Sequence, residues 1–241
     1  MRLQASQLRY IDKVQDALRK YDEQLRSINK KIWSDPELAY QEHKAHDHIC
    51  ELFDALQSEG HGRAGAGRVP TFNAEYDALP GIGHACGHNL IATSSVAAFI
   101  ATVEALKSAA PSGLSYTVRL LGTPAEESGG GKIRLLENKA YEDVDACLML
   151  HPTSSSVIPA RPALLSLAKA PEGGFLANDK VRVTFTGKPA HAAAAPWDGV
   201  NALDAVVAAY VTISLLRQQI LPSQRVHGIS ADGGDRSNII P

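Results

Sequence analysis

The chain has 241 residues, enough for one large domain or two small ones, and its 44% hydrophobic and 21% charged residues are ordinary for a globular protein with a core. A net charge of -2 without a basic block argues against nucleic acid or an anionic membrane as main partner. Three widely spaced cysteines exclude a disulfide framework and favour a reducing, cytoplasmic location. We expect no secretory signal at the N-terminus, and the apolar segment at residues 203–216 is too short to span a bilayer.

The first part of the chain alternates predicted helices and strands. Apolar residues at three- and four-residue steps predict one long amphipathic helix over residues 5–33. A glycine-rich loop is expected at residues 61–68. The other elements predicted here are helices at 40–58, 89–109 and 129–140 and strands at 70–76, 115–121 and 144–150. This alternation predicts an α/β fold with functional motifs at strand ends, where open sheets place their sites.

The composition changes after residue 151. Residues 152–178 are rich in proline, serine and alanine, which suits a crossing between domains. A strand at 181–187, a helix at 199–219 and a strand at 225–231 then predict half of a ferredoxin-like α+β unit. We therefore predict one domain over residues 1–170 and a second domain over residues 171–241.

The segment HACGH at residues 84–88 places a thiol and an imidazole two residues apart behind a turn of glycine and proline. Alone, Cys86 and His88 also fit a buried cysteine beside a capping histidine. Both groups are ligands of transition metals, and a thiolate favours zinc or another borderline-soft ion over magnesium or calcium. Because further candidate ligands follow downstream, we favour a metal site.

A carboxylate pair, Glu126 and Glu127, follows His88 by 38 and 39 residues, between a predicted strand and a predicted helix. Adjacent carboxylates are often solvated surface groups. Neighbouring side chains in an extended loop diverge, however, so one carboxylate can bind metal while the other faces the substrate. The second would then be the general base that takes a proton from water.

Three further polar residues extend this pattern, and each also has a plain structural explanation. His151 closes an apolar run and completes a set of Cys, His, Glu and His ligands, although a lone histidine is more often structural. Asp77 either orients a ligand imidazole or is a turn residue. His191 follows a predicted strand and either faces the substrate as an electrophile or caps a helix.

Four segments in this order resemble the zinc metallopeptidase family of aminoacylase, carboxypeptidase G and the auxin-conjugate amidohydrolases. They are DALP at 77–80, HACGH at 84–88, PAEE at 124–127, and GKPAHAA at 187–193 with Pro196 and GVNA at 199–202; NIIP at 238–241 is a shorter match. Asn89, after His88, is most similar to the dipeptidase-like branch (Xaa-Arg or β-alanyl-lysine type), because the auxin-conjugate branch usually carries aspartate there.

The resemblance implies a metallopeptidase catalytic domain with an inserted ferredoxin-like lid that also forms a homodimer. It implies hydrolysis of an amide bond in a small dipeptide or N-acyl amino acid. Zinc would be held in a one- or two-metal site, with manganese or cobalt as alternatives. It assigns these roles: Cys86, His88, Glu127 and His151 as metal ligands, Glu126 as general base, Asp77 as the residue that orients a ligand, His191 as oxyanion stabiliser, and Asn238 as a substrate contact.

The chain also differs from the family in length. Family members continue past the lid, return to the catalytic domain and supply one last histidine ligand, so we expect both domains of this chain to be incomplete. A metal-dependent amidohydrolase is the leading hypothesis. A catalytically inactive homologue that dimerises or binds is the second. A thiol hydrolase using Cys86 fits poorly, because Cys86 and His88 are too close in sequence to be arranged easily as nucleophile and base.

Overall fold

The computed structural model describes residues 5–57, 67–110, 116–153 and 177–241. The chain divides into two compact units, Met1–Ala160 and Arg161–Pro241. The predicted domain boundary at residues 170 and 171 lies outside the described residues, as do most of the predicted glycine-rich loop and most of the predicted crossing segment. These three features stay predictions.

The first unit begins with two helices where the sequence predicts one. Helix α1 spans Ala5–Lys20 and α2 spans Asp22–Ser34, with Tyr21 between them. The Tyr21 side chain is 1% exposed and belongs to the apolar core, together with Leu25 and Ile32 of α2. The prediction of a single helix over 5–33 is therefore wrong at one residue. The apolar spacing that predicts one helix does not include Tyr21, whose burial accompanies the interruption.

A three-stranded parallel sheet forms the centre of the first unit. Strand β1 (Pro70–Glu75) pairs on one side with β2 (Arg119–Thr123) and on the other with β3 (Ala146–Leu148). The central strand β1 is buried from its second residue to its last. Because all three strands are parallel, their carboxyl ends meet at one edge of the sheet, where open sheets place their sites. The predicted strands are thus present, each shorter than expected.

Helices connect and cover this sheet. Helix α3 spans His43–Gln57, α4 spans His88–Ala109 and α5 spans Gly131–Glu137. Helix α4 is long and apolar enough to cross a membrane by composition alone, but half of its apolar window is buried inside the unit. It packs on β1, α1 and α2, so its first residue, His88, is brought against the carboxyl end of the central strand.

The second unit has few regular elements among its described residues, 177–241. Its two-stranded antiparallel sheet pairs β4 (Ala190–His191) with β5 (Ile239–Ile240). A short 3-10 helix at Pro196–Asp198 precedes helix α6 (Ala202–Leu216), and the Asn201 side chain caps α6 by accepting from the backbone N–H groups of Leu203 and Asp204. The predicted helix of this unit is therefore present.

The two strands predicted for a ferredoxin-like half unit are not formed. Residues 181–187 and 225–231 are described, but neither segment is part of a strand. Val181, Val183 and Ile229 are more than two-thirds exposed. An alternating sequence favours a strand only when a neighbouring strand supplies the ladder of hydrogen bonds and a surface to bury the apolar face. These segments lack both among the described residues, so the predicted strands at 181–187 and 225–231 are wrong for this chain.

Candidate metal centre

The end of the central strand carries two buried carboxylates. Glu75 and Asp77 are each 1% exposed, and their two-residue spacing in an extended segment places them on one side. Asp77 accepts from the His88 Nδ1–H group at 2.9 Å through Oδ1, and its Oδ2 accepts from the Glu127 N–H at 2.9 Å. Burial alone would raise the pKa of Asp77, but these hydrogen bonds outweigh it and the pKa is lowered. Asp77 therefore fixes the His88 ring and the following carboxylate loop at once.

A tight turn leads into α4 and places the thiol. Gly87 has a left-handed backbone with φ of 83°, and a Cβ atom at this position would lie 2.7 Å from Cγ of Pro152. Glycine thus permits both the turn and the close approach of the segment after β3. In this arrangement Cys86 Sγ lies 3.5 Å from His151 Nε2. His151 Nδ1 lies 2.6 Å from the Pro152 carbonyl oxygen, which can only accept, so Nδ1 carries the proton and Nε2 presents its lone pair to the thiol.

A buried glutamate, Glu42, supports the loop that carries Glu126 and Glu127. Glu42 is 5% exposed and accepts from the Ala125 N–H at 2.7 Å, where Ala125 has a left-handed φ of 55°. Burial raises the pKa of Glu42, and the Ala125 hydrogen bond opposes this shift. No pattern around Glu42 distinguishes it in the sequence from a surface glutamate, so this support was not predicted.

Both carboxylates of the loop turn toward His88. Glu126 Oε2 and Glu127 Oε1 each lie 3.8 Å from His88 Nε2. The prediction that the two side chains diverge in an extended loop is wrong. Residues 126–129 form a turn instead, so adjacent side chains converge on one nitrogen. Burial and the negative charge of Glu75 raise the pKa of Glu126.

Glu75 is a site residue that sequence reasoning missed. Its Oε2 lies 3.5 Å from His88 Nε2, and its Oε1 is ion-paired with Lys132 Nζ from α5. A signal was present, because Glu75 lies in the predicted strand at 70–76, two residues before Asp77, and an extended chain places residues two apart on the same face.

Two overlapping groups of side chains can hold a metal ion. Cys86, His88 and His151 form one group and Glu75, His88 and Glu126 the other, with all donor atoms in each group within 4.8 Å of one another. Among the described residues, His88 Nε2 and Glu75 Oε2 are buried without a hydrogen bond. Buried polar atoms without partners cost free energy, and facing donor atoms that lack one are the arrangement that a cation would satisfy.

The thiol belongs to the same electrostatic environment. Burial, together with the charges of Glu127 and Glu126, raises the pKa of Cys86 to about 12. The sulfur therefore stays protonated beside these carboxylates unless a positive ion compensates their charge. The donor set of thiol, imidazoles and carboxylates fits a borderline-soft divalent ion.

His191 and Asn238 lie together in the second unit. His191 is paired with Ile239 across the two-stranded sheet, and the Ala192 N–H donates to the Asn238 carbonyl oxygen at 3.0 Å. His191 Nδ1 accepts from the backbone N–H groups of Ala193 and Ala194 at 3.2 and 3.1 Å. The neutral ring therefore carries its proton on Nε2, as a hydrogen-bond donor. The catalytic and substrate-binding roles of these two residues stay predictions.

Asn89, which separated the branches in the sequence, is not a member of the cluster. It is buried, and its Nδ2 donates to Asn29 Oδ1 of α2 at 2.9 Å. This side-chain hydrogen bond joins α4 to α2.

Comparison with known proteins identifies the relatives of this fold and site. A family model described as peptidase family M20/M25/M40 matches residues 71–227. The chain is 44% identical to an Xaa-Arg dipeptidase of Mus musculus and 40% identical to the Xaa-Arg dipeptidase of Homo sapiens, in each case over 91% of this chain and 53% of the relative. These matches confirm the predicted resemblance and its dipeptidase-like branch.

Two further matches are more distant. A p-aminobenzoyl-glutamate hydrolase subunit of Escherichia coli is 30% identical over 96% of this chain and 51% of its own length. A solved structure described as an aminohydrolase from methicillin-resistant Staphylococcus aureus aligns with a TM-score of 0.56 at 19% identity, covering 95% of this chain and 64% of that one. The structural match supports the fold alone. The chain spans about half the length of the curated relatives it matches.

Proposed function

Because this chain belongs to peptidase family M20/M25/M40, we propose that it carries out the metal-dependent hydrolysis of an amide bond in a dipeptide or an N-acyl amino acid. The observation that carries this proposal is the convergence of carboxylates from the central strand and the following loop on His88 Nε2. The names of the relatives, Xaa-Arg dipeptidase and p-aminobenzoyl-glutamate hydrolase, support small amide substrates with a free carboxylate.

In this proposal Cys86, His88, Glu127 and His151 hold the metal, with zinc as the first candidate and manganese or cobalt as alternatives. When bound, the ion would polarise the scissile carbonyl and lower the pKa of water. The hydrogen bond to Asp77 keeps the proton of His88 on Nδ1, so that Nε2 is available for the ion. The contact between His151 Nδ1 and the Pro152 carbonyl oxygen does the same for His151.

Glu126 is the proposed general base. Its side chain is 40% exposed, whereas that of Glu127 is 26% exposed, so Glu126 is the more accessible of the two to water and substrate. Burial and the charge of Glu75 raise its pKa, which makes the carboxylate a stronger base than one in solvent. It would take a proton from the attacking water and return it to the leaving amine.

His191 and Asn238 are proposed to act on the substrate from the second unit. The Nε2–H group of His191, held in that tautomer by two backbone N–H donors to Nδ1, is suited to donate to a developing oxyanion. Asn238 would bind the substrate. Homodimerisation through the second unit and a cytoplasmic location also stay predictions.

The deciding variant is Glu126→Gln, which preserves size and removes the base. We expect hydrolysis of a panel of dipeptides ending in arginine or lysine to fall by at least about 100-fold, the usual contribution of a general base. Bound zinc, measured by elemental analysis after dialysis, should stay unchanged, because the group of Cys86, His88 and His151 does not include Glu126. Glu142→Gln, on an exposed ion pair with Lys139, is the matched control. Unchanged turnover in Glu126→Gln would refute the assigned role.

The thiol alternative is opposed by the surroundings of Cys86. A pKa raised to about 12 leaves almost no thiolate at neutral pH, and the thiolate is the nucleophilic form. His151, the imidazole beside the thiol, presents Nε2 at 3.5 Å and donates its Nδ1 proton to the neutral carbonyl oxygen of Pro152. Inhibition by a chelator, but not by a thiol alkylator in excess metal, would separate the two chemistries.

A further inference from the structure

Glu75 occupies a position that burial alone makes costly. It is the last residue of the central strand, paired with Thr123 of β2, and its side chain is 2% exposed. A carboxylate removed from water needs hydrogen bonds or a counter-charge on its oxygens. Oε1 has the Lys132 ammonium, but Oε2 makes no hydrogen bond among the described residues.

Among the described residues, Oε2 of Glu75 and Nε2 of His88 both lack a hydrogen bond, and the two atoms face each other. Glu75 Oε2 lies 3.5 Å from His88 Nε2, which is also buried. The Nδ1 side of the same ring is already taken by Asp77 at 2.9 Å. Glu75 Oε2 and His88 Nε2 therefore face the same space between them. Glu126 Oε2 lies at the more exposed side of this space, 3.8 Å from His88 Nε2.

Lys132 comes from the segment that also carries the proposed general base. It is the second residue of α5, which begins two residues after the turn at 126–129 that contains Glu126. Its side chain is 30% exposed and reaches down to the strand end to pair with Glu75. The pair thus ties the start of α5 to β1 and leaves one Glu75 oxygen directed at His88.

We propose that Glu75 is a further donor of the metal site, and that Lys132 is the positioning residue that holds its carboxylate toward the ion. This inference rests on the proposed function, since it requires a metal bound through His88. The Lys132 ammonium balances the charge of Glu75, so this carboxylate is not an unpaired buried charge in the site. Carboxylate oxygen widens the choice of ion from zinc toward manganese.

The test is a metal titration on the full chain, stripped of metal and checked for its fold by circular dichroism. Zinc and manganese are added separately in competition with a fluorescent chelator. We expect Glu75→Gln to weaken binding by at least about 10- to 100-fold, the range for loss of a residue that supports the metal ligands. Glu142→Gln and Lys139→Met alter an exposed ion pair of the same residue types and should leave the affinity unchanged.

Lys132 is tested through its dependence on Glu75. Lys132→Met should weaken metal binding, Lys132→Arg should restore it, and the double variant Glu75→Gln with Lys132→Met should bind no more weakly than Glu75→Gln alone. If Glu75→Gln does not fold, the Met and Arg variants at Lys132 decide the question by the same readout. A lowered unfolding midpoint with unchanged metal affinity would show a merely structural pair and overturn the inference.

Cys86→Ser separates this inference from the proposed function. If Cys86→Ser loses metal binding while Glu75→Gln binds like the wild type, Glu75 is not a donor and the proposed site stands without it. If the unaltered chain binds neither ion, or Cys86→Ser leaves the affinity unchanged, the proposed metal site fails and this inference fails with it.

Discussion

Replacing Gly87 with alanine perturbs the metal centre through the backbone, without touching a candidate ligand. Gly87 has a φ of 83°, a region that costs an L-residue about 1–2 kcal/mol. The new Cβ would also lie 2.7 Å from Cγ of Pro152, which follows His151 directly. Overpacking of this kind costs about 1–3 kcal/mol when the neighbour has to move. We expect a total loss of about 2–5 kcal/mol in the free energy of unfolding, the sum of these two ranges.

Gly81 provides a matched control in the same turn region. It has a φ of 76°, but a Cβ added there meets no atom within 4 Å. Gly81→Ala should therefore show the backbone cost alone, about 1–2 kcal/mol. Urea unfolding of both metal-stripped variants measures the difference between their losses of stability. A zinc titration should show weaker binding only in Gly87→Ala, because there the new Cβ atom pushes Pro152, and with it the adjacent His151, out of position. Equal losses of stability in the two variants would refute the close approach of Gly87 and Pro152.

Two further predictions concern the same part of the molecule. Burial alone would raise the pKa of Asp77, but the hydrogen bond from His88 outweighs burial and the pKa is lowered. Burial alone would lower the pKa of His88, but the interaction with Asp77 outweighs burial and the pKa is raised. In the metal-stripped chain, the stability that Asp77 contributes should therefore be lost as pH falls below about 4 and through the folded pKa of Asp77. The stability that His88 contributes should be lost as pH rises above about 6.5 and through the folded pKa of His88. Urea midpoints measured across pH should fall at both ends, and an unchanged profile in Asp77→Asn would contradict the pairing. Asn89→Ala removes the hydrogen bond to Asn29 and should lower the free energy of unfolding in urea by about 1 kcal/mol. The zinc affinity should not change, and a loss of zinc binding would show that Asn89 belongs to the site.

Most of the fold in the first unit followed from local patterns. The apolar periods predicted the helices and the three strands, because amphipathic spacing reports which face an element will bury. The same patterns failed where a distant partner decides the outcome. Residues 181–187 alternate like a strand, yet a strand forms only when another segment completes its ladder.

The candidate site divides in the same way. Cys86, His88 and His151 could be recognised from the sequence, since they follow glycine turns or end an apolar run and together form a set of metal-ligand types, although each one alone also fits a structural role. Glu42 could not, because its partner Ala125 is 83 residues away and nothing near Glu42 indicates burial. The direction of the Glu126 side chain could not be predicted either, because adjacent side chains point differently in a turn and in an extended loop of the same residues.

The sequence by itself determined the family, the parallel strands of the first unit and the identity of most candidate ligands, because these depend on residue type and on spacing along the chain. Only the tertiary structure decided that Glu75 faces His88, that Lys132 balances it, and that both loop carboxylates turn to the same nitrogen. The physical reason is that a buried charge is tolerated only beside a specific partner. That partner comes from another element, 57 residues away for Glu75 and Lys132, and is brought close only when the sheet and its helices have packed.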